Sequence, residues 1–189
     1  MNKKQLLVTT ILVFLMGVMV FMQQFFETNI QKVALVNNNI EDMLEYTALD
    51  GNLVFSLPDN WTTKVSEPED YIVYNNNFVS EAMGVVGSIQ VLSTKTSIEE
   101  LINIDKKNFE AEKVNNIKTV DEKLRDVVVK KLKYEEKTES GRNYMTQAYY
   151  FPLDDELKLK ITFSAGLDRY KENYETVYRL ILESFKKAK

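Results

Sequence analysis

The side chains that could do chemistry in this chain are carboxylates and aromatic rings. Asp154, Asp155 and Glu156 stand side by side in "PLDDEL" and could hold a hard cation through oxygen. A calcium loop spaces its ligands and bends at a glycine. This stretch does neither, so the three read as a solvated turn and no metal is expected. Aromatic residues that offer a flat face and a polar tip for recognition stand at Trp61, just after the turn "PDN", and at Tyr144, Tyr149 and Tyr150 in "RNYMTQAYYF". Trp61, the only tryptophan, fits a plug at the end of a core or a ring that stacks on a ligand. On a strand, Tyr144 and Tyr150 share one face by parity and Tyr149 takes the other. One set is expected in the core and the other exposed. Trp61, Tyr144, Tyr149 and Tyr150 are therefore the candidate partner surface.

Absent residue types exclude more than the present ones assign. The chain contains neither histidine nor cysteine. Ser-His-Asp and Cys-His nucleophiles, disulfides and the usual nitrogen and sulfur ligands of zinc cannot be built. What remains is a carboxyl group with a raised pKa acting as a general acid. No two carboxylates stand at a spacing that marks such a pair, so neither catalysis nor a cofactor is expected. The chain carries 24 basic and 28 acidic residues. Lys3 and Lys4 are the only charges before Glu27, which leaves 22 against 28, a net of −6, for the rest. That balance argues against a nucleic-acid partner.

The elements that position these residues begin with "MNKKQLLVTTILVFLMGVMVFMQQFFETN". Residues 5–26 are uncharged, and as a helix they would reach roughly 33 Å, enough to cross a hydrocarbon core. A secretory signal has a shorter apolar region followed by small residues; here Phe21, Met22, Phe25 and Phe26 are bulky, so the segment is expected to stay as a signal anchor. Lys3 and Lys4 ahead of it place residues 1–4 in the cytoplasm and the long C-terminal part outside. Residues 27–43 read as a frayed helical extension passing into a linker, and 44–189 as one domain of ordinary size.

Within that domain "LDGN" marks a hairpin between strands near 45–49 and 53–56, and Pro58 stops the second strand. "YIVYNN" and "MGVVGSIQVLST" add strands, with Gly84 and Gly87 as a bulge or a close backbone approach. Ser97 followed by Glu100 forms a capping box ahead of a helix over 98–110. Four extended segments then form an antiparallel meander, turning at "ESGR" and "PLDDE". Tyr170, Tyr174, Val177, Ile181 and Phe185 make one apolar stripe on a long terminal helix, with Asp168 as N-cap and Lys186 and Lys187 at its C-terminal end. The fold class expected is α+β: a central antiparallel sheet with flanking helices, an α/β/α sandwich, preceded by one N-terminal transmembrane helix.

The order "FSLPDNW", an extended "VGSIQV" before a capped helix, strands ending in "AYYF" and "LKITFSAG", and a final "ILESFK" resembles the PsbP-like family over roughly residues 44–187. The family includes an extrinsic subunit of the photosynthetic oxygen-evolving complex, a Ran-binding nuclear import factor and many bacterial extracytoplasmic proteins. The resemblance implies the sandwich fold and carries over no binding residue. Bacterial relatives are often lipoproteins; this chain has no cysteine to lipidate and departs by using a helix as its anchor. The function expected is a membrane-anchored extracytoplasmic module that contacts another envelope protein. The alternative is a small-ligand binder or a carboxylate-based enzyme at the cell surface.

Overall fold

A computed structural model describes residues 3–110, 112–125 and 127–188, excepting the side chains of 3, 4, 6, 23–25, 27 and 28. Helix α1 (Lys3–Asn37) is followed by strands β1 (Met43–Ala48), β2 (Leu53–Pro58), β3 (Thr62–Ser66), β4 (Ile72–Ser80) and β5 (Val85–Ser93). After helix α2 (Ile98–Lys107) come β6 (Val114–Leu124), β7 (Val127–Lys137), β8 (Asn143–Pro152) and β9 (Leu157–Gly166), then helix α3 (Tyr174–Ser184) and the short β10 (Lys186–Lys187). Seven strands form one sheet in the order β3-β4-β5-β9-β8-β7-β6, and β1-β2-β10 form a second. Every pairing is antiparallel.

The middle of the seven-stranded sheet is covered on both faces, which is why β9 can bury Leu159, Ile161, Phe163 and Ala165 on one side while burying Lys158 and half-covering Lys160 on the other. On the first face lie α3 and the small sheet, joined through Phe55, Phe185, Tyr178 and Ile181. On the second lies α2, which packs Leu101 and Ile102 on Leu92, Leu132, Ala148 and Tyr150. Glycine is required at Gly87: a Cβ there would sit 2.0 Å from the Thr162 carbonyl oxygen and 2.5 Å from the Phe78 ring. The close backbone approach expected from the sequence is at this residue.

Ser97 caps α2 by accepting the Glu100 N–H at 3.2 Å. The terminal helix differs from expectation at both ends. Asp168 is not its N-cap, because the Gly166 carbonyl accepts the N–H groups of Arg169 and Tyr170, both at 2.9 Å, and this turn reverses the chain before helix begins at Tyr174. At the other end the Ser184 hydroxyl donates to the Ile181 carbonyl at 2.6 Å and accepts the Ser56 N–H at 2.8 Å. A side chain that competes for helix carbonyls favours termination, and Phe185 is extended. Lys186 and Lys187 pair with Val54 and Leu53 as a strand, where a helix end was expected.

The segment 27–43 is not a linker. Helix α1 continues through it to Asn37, Ala34 and Ile40 are 2% and 4% exposed within the main core, and the Asn60 amide donates to the Asn39 carbonyl at 2.7 Å. Of the apolar patch 33–36, Ala34 and the partly buried Leu35 pack on the main core, while Val33 and Val36 stand exposed at 57% and 72%. Toward the N-terminus, apolar side chains stand exposed, Phe14 at 69% and Phe21 at 70% among them. Among the described residues no helix is long and apolar enough to cross a membrane; the described side chains of α1 run unbroken over 7–22 only. The charged flanks Lys3, Lys4 and Glu27, and bulky Phe25, lie outside the described side chains.

Candidate functional site

Three of the four aromatic candidates are interior. Trp61 is 4% exposed and stacks on Phe78 at 5.0 Å between ring centroids, with Phe163 edge-on at 6.5 Å. Tyr149 and Tyr150 are 2% and 1% exposed. Parity separates them as expected, but helices cover both sheet faces, so neither tyrosine is left on a surface. The Tyr149 hydroxyl donates to Gln147 at 2.8 Å beneath α3, and that of Tyr150 donates to Asp105 beneath α2. Only Tyr144, half-buried, reaches solvent. Asp154 closes the β8–β9 turn: its Oδ1 accepts the N–H groups of Leu157 and Glu156 at 2.7 and 3.0 Å, and its Oδ2 pairs with Lys187 Nζ at 2.9 Å. The Lys187 contact, with those N–H groups, lowers its pKa to about 2. No group of three or more acidic residues that could hold a metal occurs among the described residues.

A polar network lies between α3 and the sheet, and the sequence reading missed it. Lys131 and Lys133 share a face of β7, Gln147 and Tyr149 the same face of β8, and the register sets Lys131 against Tyr149 and Lys133 against Gln147. Glu175, in the first turn of α3, receives Lys131 and Lys133 at 3.3 Å each, the Tyr170 hydroxyl at 2.7 Å and the Gln147 amide at 3.2 Å. Burial alone would raise the Glu175 pKa; the Tyr170 hydroxyl and the two ammonium groups override it and hold it at about 2. Tyr170 and Tyr149 are pushed upward, chiefly by burial. A carboxylate held ionised with its oxygens engaged is the opposite of a general acid poised near neutrality. On the other face Lys160 meets Asp105 at 2.5 Å beside a cavity of about 170 Å³, fastening α2 to the sheet.

One surface feature with room for a partner is a groove of about 920 Å³ at the end of the sheet carrying the β4–β5 and β7–β8 turns. α2 has ten residues, about 15 Å, and cannot cover seven strands. Val79 and Val86, paired across β4 and β5, are left 42% and 44% exposed on its face, with Leu167 at 38% nearby. Two turns put arginines at the rim. Gly141, at φ +81°, and the Thr138 hydroxyl, which accepts the Arg142 N–H at 3.2 Å, set the backbone at Arg142. Arg169 lies across Gly84: a Cβ at that residue would be 3.0 Å from the arginine Cδ. Leu167 N–H donates to the Asn143 carbonyl at 2.8 Å and ties the two walls together. Glu81 and Asp168 also line the groove. The sequence signal was present in the positive-φ glycines Gly84 and Gly141, each beside one wall.

No protein-family model matches the chain, and no curated protein matches it. Among solved structures it is similar to the solution structure of cyanobacterial PsbP (CyanoP) from Synechocystis sp. PCC 6803, at 12% identity over 79% of this chain and 94% of that one, with a TM-score of 0.49. It is also similar to the crystal structure of LpqN, involved in cell envelope biogenesis of Mycobacterium tuberculosis, at 12% identity over 77% of this chain and 90% of that one, with a TM-score of 0.45.

Proposed function

We propose that the chain is a non-catalytic binding module, held at the outer face of a membrane by residues 5–26, whose domain contacts another envelope protein. The observation that carries this reading is α1: its N-terminal part bears apolar side chains exposed on all sides, while its C-terminal part is buried in the domain core at Ala34. An apolar helix without a polar face needs a lipid or protein environment. The uncharged sequence 5–26 has the length for lipid, and Lys3 and Lys4 favour a cytoplasmic N-terminus. Because α1 enters the core without a linker, the domain is carried close to the membrane surface. The enzyme alternative has no support in Glu175, whose carboxyl is held at about 2.

The experiment is protease treatment of intact cells, or protoplasts where a wall blocks access, combined with crosslinking in the native membrane. Digestion of the domain from outside and a crosslinked neighbouring protein are expected. Full protection alongside a digested external control would reverse the topology, and absence of any neighbour would remove the binding reading.

A further inference from the structure

The seven-stranded sheet ends at β6, and this last strand is open along its outer edge. Among the described residues, no backbone hydrogen bond outside the ladder with β7 engages residues 115–124, so alternate N–H and C=O groups along that edge have no protein partner. The opposite edge, β3, has five residues against eleven in β6. Residues 115–121 are exposed, Val120 at 53%. The strand is irregular between Asn115 and Lys118, where Asn116 has φ +53°, and pairs regularly over 118–124. Register sets Lys118, Val120 and Glu122 opposite Lys133, Lys131 and Val129, on the same sheet face as α3. Lys118 thus stands across from another lysine, and among the described residues no ion pair or side-chain hydrogen bond engages it. Glu122 is 3.7 Å from Lys131.

We propose that two copies of this chain pair edge to edge through β6, antiparallel about a two-fold axis at Val120. This adds a self-contact to the module's contact with another protein. The residues along the edge select a second copy as the occupant. A two-fold antiparallel pair keeps both α3 faces on one side, so one residue of β6 must face its own copy. Lys118, Asp121, Glu122 or Lys123 at that place would set like charges opposite each other, which is destabilising, and Leu124 is already the end of the strand. Thr119 at the centre would set Lys118 against Val120 and satisfy no charge. Val120 at the centre sets Lys118 opposite Glu122 twice. It also sets Thr119 opposite Asp121, whose contact with Lys130 uses Oδ1 and leaves Oδ2 to accept the threonine hydroxyl. Lysine on an edge discourages an added strand in general. Here Glu122, four residues on, carries the counter-charge, so a second β6 meets Lys118 with a carboxylate where an unrelated strand does not.

The test uses the full chain in density-matched detergent at low salt. Because the chain has no cysteine, one introduced thiol reports one position. Val120→Cys should give a disulfide-linked dimer on mild oxidation, since facing Cβ atoms of an antiparallel pair lie about 4.5–5.5 Å apart, close to the reach of a disulfide. Lys118→Cys and Glu122→Cys, each about 14 Å from its own copy at this register, should not, and neither should Lys64→Cys on β3. By sedimentation the natural chain should be in monomer–dimer exchange. Lys118→Glu and Glu122→Lys should each weaken the dimer about tenfold, because both turn two exposed attractions into repulsions. An equimolar mixture of the two variants should recover the dimer, as each supplies the charges that the other lacks. Unchanged Trp61 fluorescence shows that the variants are folded. A natural chain that sediments as a monomer would overturn the proposal. So would a dimer that ignores both reversals, as one formed through α1 would, or a disulfide formed faster at Lys118→Cys, Glu122→Cys or Lys64→Cys than at Val120→Cys.

Discussion

Glu175→Gln should remove a defined portion of the acid sensitivity of the fold. The Glu175 pKa falls from 4.5 to about 2 on folding, and each pKa unit is worth about 1.36 kcal/mol. Taken in full, the difference is about 3.4 kcal/mol. The carboxylate side chain is 40% exposed, and solvent screening reduces this to about 1–2 kcal/mol. Because the folded pKa is the lower one, this stability is fully present above about pH 4.5 and is lost as pH falls through about 2. At pH 7 the glutamine variant should be less stable by about 1–2 kcal/mol, since Lys131 and Lys133 lose their charged partner. Between pH 4.5 and 2 the gap to the natural chain should close. The assay is urea unfolding of the full chain in mild detergent, read by Trp61 fluorescence at pH 7, 4.5, 3 and 2, with the exposed Glu172→Gln as control. If the gap stays constant across this range, or if Glu172→Gln behaves identically, Glu175 is not the ionised hub of the network and the argument is refuted.

Ile181→Ala, at a side chain with no exposure, should cost about 2–5 kcal/mol through lost burial and a cavity; a midpoint matching that of Lys123→Ala on the exposed part of β6 would mean that α3 is not packed as described. Gly87→Ala should destabilise by at least about 1–3 kcal/mol, because the added methyl meets the Thr162 carbonyl at 2.0 Å and the backbone must shift; a loss below 0.5 kcal/mol, roughly that of a neutral surface change, would contradict the register of β5 and β9. A fragment beginning at residue 44 should be less stable than one beginning at residue 31 by about 2–4 kcal/mol, since it loses the buried Ala34 and Ile40; equal urea midpoints would restore a linker before the domain.

What the sequence disclosed follows from how local each signal is. Ser97 three residues before Glu100 announces a helix start because the bond that makes the cap spans those residues. Alternation in "LKLKITFSAG" announces β9 because its lysines and apolar residues face opposite ways. Tyr149 and Tyr150 were separable onto two faces by parity, but parity carries no information on whether a helix covers the second face. Lys186 and Lys187 suit a helix end by charge, yet Ser184 and the edge of β2, 128 residues away from each other in the case of Ser184 and Ser56, decide for a strand. The Glu175 network draws on β7, β8 and α3, and its only sequence trace is polar residues at alternate positions of buried strands, Lys131 with Lys133 and Gln147 with Tyr149. The groove is less legible still, because it exists where α2 is too short to cover β4 and β5, and length against sheet width is a property of the assembled layers.

The membrane anchor proposed for residues 5–26 is tested most directly by intact mass spectrometry of the protein recovered from alkali-washed membranes. The predicted result is a membrane-retained chain whose mass includes residues 5–26. A mass that lacks these residues, or recovery of the chain in the wash, would contradict the anchor.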